Sequence, residues 1–231
     1  MYLAFLVCLV CLAVVLFFRS GSRSRGNRVV LFGPEGGGKT ALALQIRFGR
    51  LAPTLPSMQT TTATCTLPGE RADSPRGFSV ELVDVPGSGR LRAQLLVEAG
   101  SAGVLVCVLD ATAMQLHCKE AAGILFDVLS HSAVCSRALP LVVVLNKCDV
   151  RGAANLQAAR LSLEGEVQKV RLARTTMKDT SDDSKLAGGI ADMSSGSFSF
   201  DQMGVPVEFV STSALQPNLH AFVKAVSKWI K

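Results

Sequence analysis

Residues 33–40 constrain the fold of this chain more than any other segment. They read Gly-Pro-Glu-Gly-Gly-Gly-Lys-Thr and lie between an apolar run at 28–32 and a segment at 39–48 with helical spacing of its apolar residues. A glycine-rich turn before a helix brings backbone N–H groups together around phosphate oxygens, while the lysine reaches the terminal phosphates and the threonine binds Mg²⁺. We therefore predict a phosphate site formed by Gly33, Glu35, Gly36, Gly37, Gly38 and Lys39, with Thr40 as a metal ligand.

Short apolar runs alternate with helical segments from residue 28 to residue 231, which predicts an α/β domain with helices on both faces of a mostly parallel sheet. The predicted strands are 28–32, 61–67, 78–83, 103–109, 139–145 and 207–210. The predicted helices are 39–48, 90–99, 114–131, 153–172 and 219–229. Gly and Pro around 69–77 indicate a turn, so the second strand should be an antiparallel edge strand. The prediction is a three-layer P-loop domain with six strands.

A second motif, Asp-Val-Pro-Gly at residues 84–87, follows the third predicted strand. Asp84 can hold the water shell of Mg²⁺, and the Gly87 amide can approach a γ-phosphate. Loss or gain of that phosphate would then move the following loop between two states. The sequence Asp-x-Pro-Gly is also a common turn, and its order after the phosphate loop favours the metal and phosphate roles.

A third motif, Asn-Lys-Cys-Asp at residues 146–149, indicates which base the site accepts. Asp149 can accept two hydrogen bonds from the N1 and N2 edge of guanine, a donor pair that adenine lacks. Lys147 would lie against the base and Asn146 would brace the phosphate loop. Ser213 and Ala214, after the last predicted strand, would offer a backbone amide to the guanine oxygen. The motifs together predict guanine-nucleotide binding.

The N-terminal residues 2–18 form an apolar run without a charged side chain. As a helix they would measure roughly 25 Å, close to the hydrocarbon thickness of about 27 Å in endoplasmic reticulum. Basic residues follow the run instead of preceding it, which favours an uncleaved anchor at 1–18 with the rest of the chain cytosolic over a signal peptide or a core helix. Four of the six net positive charges are Arg19, Arg23, Arg25 and Arg28, so the remainder does not predict a nucleic-acid partner.

Two polar segments interrupt the apolar pattern. Residues 19–27 are rich in Gly, Ser and Arg and predict a flexible linker between anchor and domain. Residues 173–200 are rich in Ser, Gly and Asp and predict a polar insertion, either a solvated loop or a regulated one. The scattered cysteines show no metal-ligand spacing and suit a reduced, cytosolic domain.

The order of these motifs across residues 28–231 resembles the small Ras-like GTPases. The apolar N-terminus, Gln-Thr-Thr at 59–61, Asp-Val-Pro-Gly at 84–87 and the polar segment before Ser213 are more narrowly similar to the signal recognition particle receptor β subunit family. This resemblance implies GTP or GDP with Mg²⁺ as ligands, Thr60 as a metal ligand with Thr61 and Thr62 as alternatives, the receptor α subunit as partner, and single-pass residence in the endoplasmic reticulum membrane. The implied function is a GTP-dependent switch in protein targeting.

The chain departs from this family at the position that orients the attacking water. Ser88 and Gly89 follow Gly87, where many small GTPases have Gln and receptor β subunits often have His. Because water orientation and an arginine finger supply much of the acceleration in this reaction class, hydrolysis should be slow without a partner, and no residue is assigned as catalytic. A constitutively GTP-bound anchor is therefore an alternative. A vesicle-coat GTPase of the ADP-ribosylation-factor type is another, although Tyr2 does not fit its N-myristoylation.

Overall fold

The protein was analysed as a computed structural model that describes residues 26–50, 53–55, 57–68, 77–89, 92–178, 190, 196–216 and 219–230. Within these ranges no helix has both the length and the apolar character to cross a bilayer. The anchor predicted at 1–18 and most of the linker predicted at 19–27 lie outside the described residues, as does most of the turn predicted at 69–77.

Six strands form one sheet with the spatial order β2-β3-β1-β4-β5-β6. They are β1 Arg28–Phe32, β2 Thr61–Leu67, β3 Phe78–Asp84, β4 Val104–Asp110, β5 Leu141–Asn146 and β6 Val207–Ser211. All neighbouring pairs are parallel except β2 and β3, which pair antiparallel from Thr61 opposite Asp84 to Leu67 opposite Phe78. The predicted α/β architecture, with six strands and one antiparallel edge strand, is confirmed.

The helices cover both faces of this sheet. They are α1 Lys39–Phe48, α2 Arg92–Ser101, α3 Met114–Leu129, α4 Ser132–Arg137, α5 Leu156–Lys178 and α6 His220–Ser227. One face packs against α1 and α6 through Leu42 and Phe222, and the other against α2 to α5 through Leu125 and Leu163. The interior strands β4 and β5 are buried along their whole length, which explains why their sequences are continuous apolar runs and do not alternate.

Helix boundaries differ from the sequence predictions at several points. The helix predicted at 114–131 ends at Leu129, and a short helix that was not predicted, α4, begins at Ser132 after His131, whose backbone is extended. Helix α5 begins at Leu156, where the Asn155 side chain accepts a hydrogen bond from the Ala158 amide at 2.8 Å; an Asn in this position stabilises a helix start. Helix α2 begins at Arg92, after residues 90 and 91 that lie outside the described ranges.

The polar segment predicted at 173–200 differs from a solvated loop at both ends. Helix α5 continues through its first residues to Lys178. Near its other end Phe198 and Phe200 are buried in the core beside α5, with their ring centroids 5.0 Å apart. Because the segment is rich in Ser and Gly, its composition did not predict that Phe198 and Phe200 are buried in the core. The role of residues 179–189 and 191–195 remains a prediction outside the described structure.

Candidate functional site

The three sequence motifs meet at one edge of the sheet, because β1, β3 and β5 are parallel in orientation and each motif follows the carboxyl end of its strand. A cavity of about 280 Å³ opens there. The predicted site residues that line it are Glu35, Gly36, Gly38, Lys39, Thr40, Gly87 and Lys147. Sequence reasoning missed five further lining residues: Ala41 on the first helix, Pro86 in the second motif, and Thr54, Leu55 and Ser57, which lie in an irregular segment without a motif.

The phosphate loop requires glycine at positions where a side chain would strain the backbone or collide. Gly38 has a φ of 86°, a left-handed conformation that residues with a side chain rarely adopt. A Cβ at Gly37 would lie 2.8 Å from the carbonyl oxygen of Val108 on β4. The loop therefore lies directly against the sheet, with α1 beginning at Lys39. This is the arrangement in which a helix N-terminus and loop amides attract anions.

The Lys39 side chain folds back onto the phosphate loop and binds its first two carbonyl groups. Its Nζ donates to the carbonyl oxygens of Gly33 at 3.1 Å and Pro34 at 2.8 Å, and the residue is only 6% exposed. Burial lowers the pKa of Lys39 against the opposing effect of the Asp84 carboxylate. Bound phosphate would supply the anionic partner that a buried ammonium otherwise lacks.

Thr40 connects the phosphate loop to the end of β3. Its hydroxyl donates to Asp84 Oδ2 at 2.6 Å and lies 2.9 Å from the hydroxyl of Ser57. The second carboxylate oxygen of Asp84 is buried without a hydrogen-bond partner. Burial raises the pKa of Asp84, although the Thr40 hydrogen bond and Lys39 oppose this rise. A hydroxyl, a carboxylate and an orphaned buried oxygen form a hard donor set that fits Mg²⁺.

Three adjacent threonines were candidates for a further metal ligand, and their positions differ. Thr61 and Thr62 are exposed on β2, whereas the Thr60 hydroxyl is buried and has no hydrogen-bond partner. Thr61 pairs with Asp84, so Thr60 continues the chain just beyond the metal carboxylate. Thr60 does not line the cavity, and Ser57 does. Thr60 remains the predicted ligand because its buried hydroxyl lacks a partner.

Asn146 joins the two halves of the site. Its amide nitrogen donates to the Gly37 carbonyl oxygen at 2.9 Å, and its side-chain oxygen accepts from the Ala214 amide at 2.9 Å. The residue is 1% exposed. It therefore braces the phosphate loop as predicted from its motif, and it also holds the loop after β6. That second bond occupies the Ala214 amide that was predicted to face guanine, so a base would have to share it.

The remaining base-site residues lie around this joint. Lys147 Nζ donates to the Gly36 carbonyl oxygen at 2.9 Å and forms an ion pair with Asp110. Asp149 is exposed beyond the end of β5, which leaves its carboxylate open to a ligand. The Ser213 hydroxyl accepts from the Leu215 amide at 3.1 Å and stabilises the turn after β6. Sequence reasoning missed Asp110, because its contact with Lys147 depends on β4 lying next to β5 in the sheet.

The second motif approaches the phosphate loop closely at Gly87. A Cβ there would lie 2.7 Å from the Glu35 nitrogen and 2.7 Å from the Gly33 oxygen. Ser88 instead lines a separate hollow of about 10 Å³ and is not among the residues that line the cavity. Arg92, at the start of α2, pairs with Asp127 at 3.2 Å. No side chain of the described part of this loop is placed to orient water in the cavity.

Comparison with known proteins identifies the family. A model of the signal recognition particle receptor beta subunit family matches residues 24–207. The chain is 32% identical to signal recognition particle receptor subunit beta of Mus musculus, covering 84% of this chain and 71% of that protein, and 31% identical to that of Homo sapiens, covering 83% and 69%. The mammalian SRP receptor structure matches with a TM-score of 0.73 and 28% identity over 87% of this chain and 98% of that chain. The chain therefore belongs to the signal recognition particle receptor β subunit family.

Proposed function

We propose that this chain binds GTP and GDP with Mg²⁺ as the switch subunit of a signal recognition particle receptor. The observation that carries the proposal is the Asn146 joint, in which one buried side chain holds both the phosphate loop and the loop after β6 at 2.9 Å. This joint aligns the phosphate loop with a base site. In that site the exposed carboxylate of Asp149 would accept hydrogen bonds from a base that carries N–H donors. A guanine nucleotide offers both the phosphates and the donor pair.

Different residues would hold the phosphates, the base and the metal ion. Lys39 and the loop amides from Gly33 to Gly38 would hold the phosphates, while Lys147 and Asp149 would hold the base. Thr40, Asp84 and Thr60 would hold Mg²⁺, which neutralises phosphate charge when bound. Thr40 can bind the ion without losing its hydrogen bond to Asp84 at 2.6 Å, because donating the hydroxyl hydrogen leaves an oxygen lone pair free for the metal.

Two solved structures with this fold are described with a bound guanine nucleotide. The SRb-GTP/SRX complex from Chaetomium thermophilum matches with a TM-score of 0.70 and 20% identity, covering 88% of this chain and 98% of that chain. SRb-GDP-Mg from the same organism matches with a TM-score of 0.65 and 22% identity, covering 90% and 100%. At these identities the likeness concerns the fold, and the ligands named belong to those proteins.

Family membership also supports the cellular role that we propose. The chain would reside in the endoplasmic reticulum membrane through residues 2–18, with the domain cytosolic, and would recruit the receptor α subunit for cotranslational targeting. The nucleotide state would control that docking, because Gly87 lies against the phosphate loop and belongs to the loop that follows β3, so a change at the phosphates could move that loop.

Ser88 supports a second version in which the chain holds GTP constitutively and serves as an anchor. Ser88 lines a separate hollow and does not line the cavity. Single-turnover hydrolysis, measured with and without the α subunit, separates the two versions. A switch requires GTP cleavage that the partner accelerates, whereas an anchor retains intact GTP in both conditions.

The decisive test of nucleotide binding is to purify the full chain in detergent and identify what it retains. We expect GTP or GDP in amounts close to one per chain, and adenine nucleotide or none at saturating Mg²⁺ would refute the proposal. Asp149→Asn should shift preference from guanosine to xanthosine diphosphate, because the new amide donates where the carboxylate accepted. Exposed Asp201→Asn, whose carboxylate pairs with Arg160 and does not line the cavity, serves as the matched control and should leave preference unchanged.

A further inference from the structure

A buried carboxylate outside the three motifs contacts the base-site lysine. Asp110 ends β4 and is 6% exposed. Its Oδ2 lies 2.5 Å from Lys147 Nζ, and the same Nζ donates to the Gly36 carbonyl oxygen at 2.9 Å. A continuous series of polar contacts therefore runs from Asp110 at the end of β4, through Lys147, to Gly36 in the phosphate loop.

Asp110 is itself held in place on every side. Its Oδ1 accepts from the Thr112 amide at 2.8 Å and from the Thr112 hydroxyl at 2.6 Å, and its own amide donates to His117 Nδ1 at 3.3 Å. Burial would raise the pKa of Asp110, but hydrogen bonds from Lys147 and Thr112 outweigh it and lower the pKa. Burial lowers the pKa of His117, which keeps the imidazole neutral and able to accept. The carboxylate is thus charged and fixed at neutral pH.

Lys147 needs such a fixed partner. Its φ of 63° lies in the left-handed region, where a residue with a side chain is strained unless its surroundings hold it. Its side chain is 38% exposed and long, so the ammonium would sample many positions without a partner. The Gly36 carbonyl alone gives one neutral acceptor, whereas Asp110 adds a charge-assisted bond.

We infer that Asp110 is a positioning residue for guanine-nucleotide binding, which fixes the Lys147 ammonium between β4 and the phosphate loop so that the lysine stem forms one wall of the base site. This inference rests on the function proposed above. Asp110 acts only through Lys147, because it does not line the cavity. Its contribution is to pre-organise the wall, and pre-organisation appears as slower dissociation of the ligand.

The test measures GDP dissociation from the full chain in detergent. Asp110→Asn keeps an acceptor for Thr112 but removes the charge, and we expect GDP to leave about tenfold faster, the effect of losing one charge-assisted hydrogen bond. Lys147→Met should show a similar increase. If Asp110 acts through Lys147, the double variant should dissociate no faster than Lys147→Met alone, whereas additive effects would overturn the inference.

The matched control removes a comparable ion pair at the opposite end of the sheet. Glu98 lies 2.5 Å from Arg28 with a side chain 17% exposed, and Glu98→Gln should leave dissociation at the wild-type rate. Asp110→Glu keeps the charge and should retain slower dissociation than Asp110→Asn; the reverse order would mean that shape matters and not charge, and would overturn the inference. If Asp110→Asn does not fold, Asp110→Ser replaces it: this variant also removes the charge and should release GDP about tenfold faster, and release at the wild-type rate would overturn the inference. Failure of the wild-type chain to retain GDP would instead refute the proposed function.

Discussion

Asn146 shows how one side chain can make two distant loops a single site. It lies at the end of β5, and its two partners are 109 and 68 residues away along the chain. An amide side chain suits this place because it carries a donor and an acceptor at once. Gly38 must lack a side chain, because a Cβ there would overlap the Asn146 amide nitrogen.

Asn146→Ala should destabilise the folded chain by roughly 2–4 kcal/mol, because the Gly37 carbonyl and the Ala214 amide would both lose a buried partner. Urea unfolding without nucleotide measures this loss separately from any effect on binding. The control is Asn27→Ala, which removes one exposed hydrogen bond to Ser79 and should cost under about 1 kcal/mol. Equal losses for the two variants would show that Asn146 does not brace the site.

Among single residues, those within a motif could be predicted from the sequence, whereas the residues that hold them in place could not. Asn146 could be assigned from Asn-Lys-x-Asp because the motif states its neighbours and the strand before it. Asp110 and Ser57 could not, since their importance depends on which strand lies next to β5 and on how the segment before β2 returns to Thr40. Such contacts between distant segments leave no local pattern.

The strands were predictable because each is a short apolar run followed by a polar or glycine-rich segment. The antiparallel β2–β3 pair follows from the turn residues at 69–77, and its register was not readable because β2 alternates weakly and is mostly exposed. Helix ends were harder. The break between α3 and α4 depends on the backbone of His131, and the apolar spacing continues across it.

The end of the polar segment gives a prediction at the scale of elements. Phe200 is 2% exposed, packs edge-on against Phe198 and Phe209, and returns the chain to the core before β6. Phe200→Ala should therefore cost about 3–5 kcal/mol of unfolding free energy. Leu161→Ala on α5, where the side chain is 62% exposed, should change little. If both variants unfold at the same urea concentration, residues 198–200 do not anchor the segment.

The two ends of the domain have different surroundings. The cavity opens at the carboxyl ends of the parallel strands, while Arg28 begins β1 at the opposite end and pairs with Glu98 and, more distantly, with Glu81. The chain leading from residues 2–18 therefore enters the domain on the side away from the cavity. Nine linker residues extend at most about 32 Å, so a bilayer joined through them would lie nearer the Arg28 end. A partner approaching the cavity would then meet the surface that faces the cytosol.

This arrangement predicts the topology of the full chain in endoplasmic reticulum vesicles. Protein synthesised with microsomes should resist extraction at alkaline pH, because an apolar run of this length inserts, and protease added outside should digest the domain, because the basic residues after the run keep it cytosolic. Replacing Leu6, Val10 and Leu16 by Arg should abolish alkali resistance and leave the folded domain able to retain GDP. A matched control with Arg at exposed Leu161, Leu172 and Val97 should stay alkali-resistant. A domain protected from protease until detergent is added would contradict the orientation, and alkaline release of the unchanged chain would contradict the anchor.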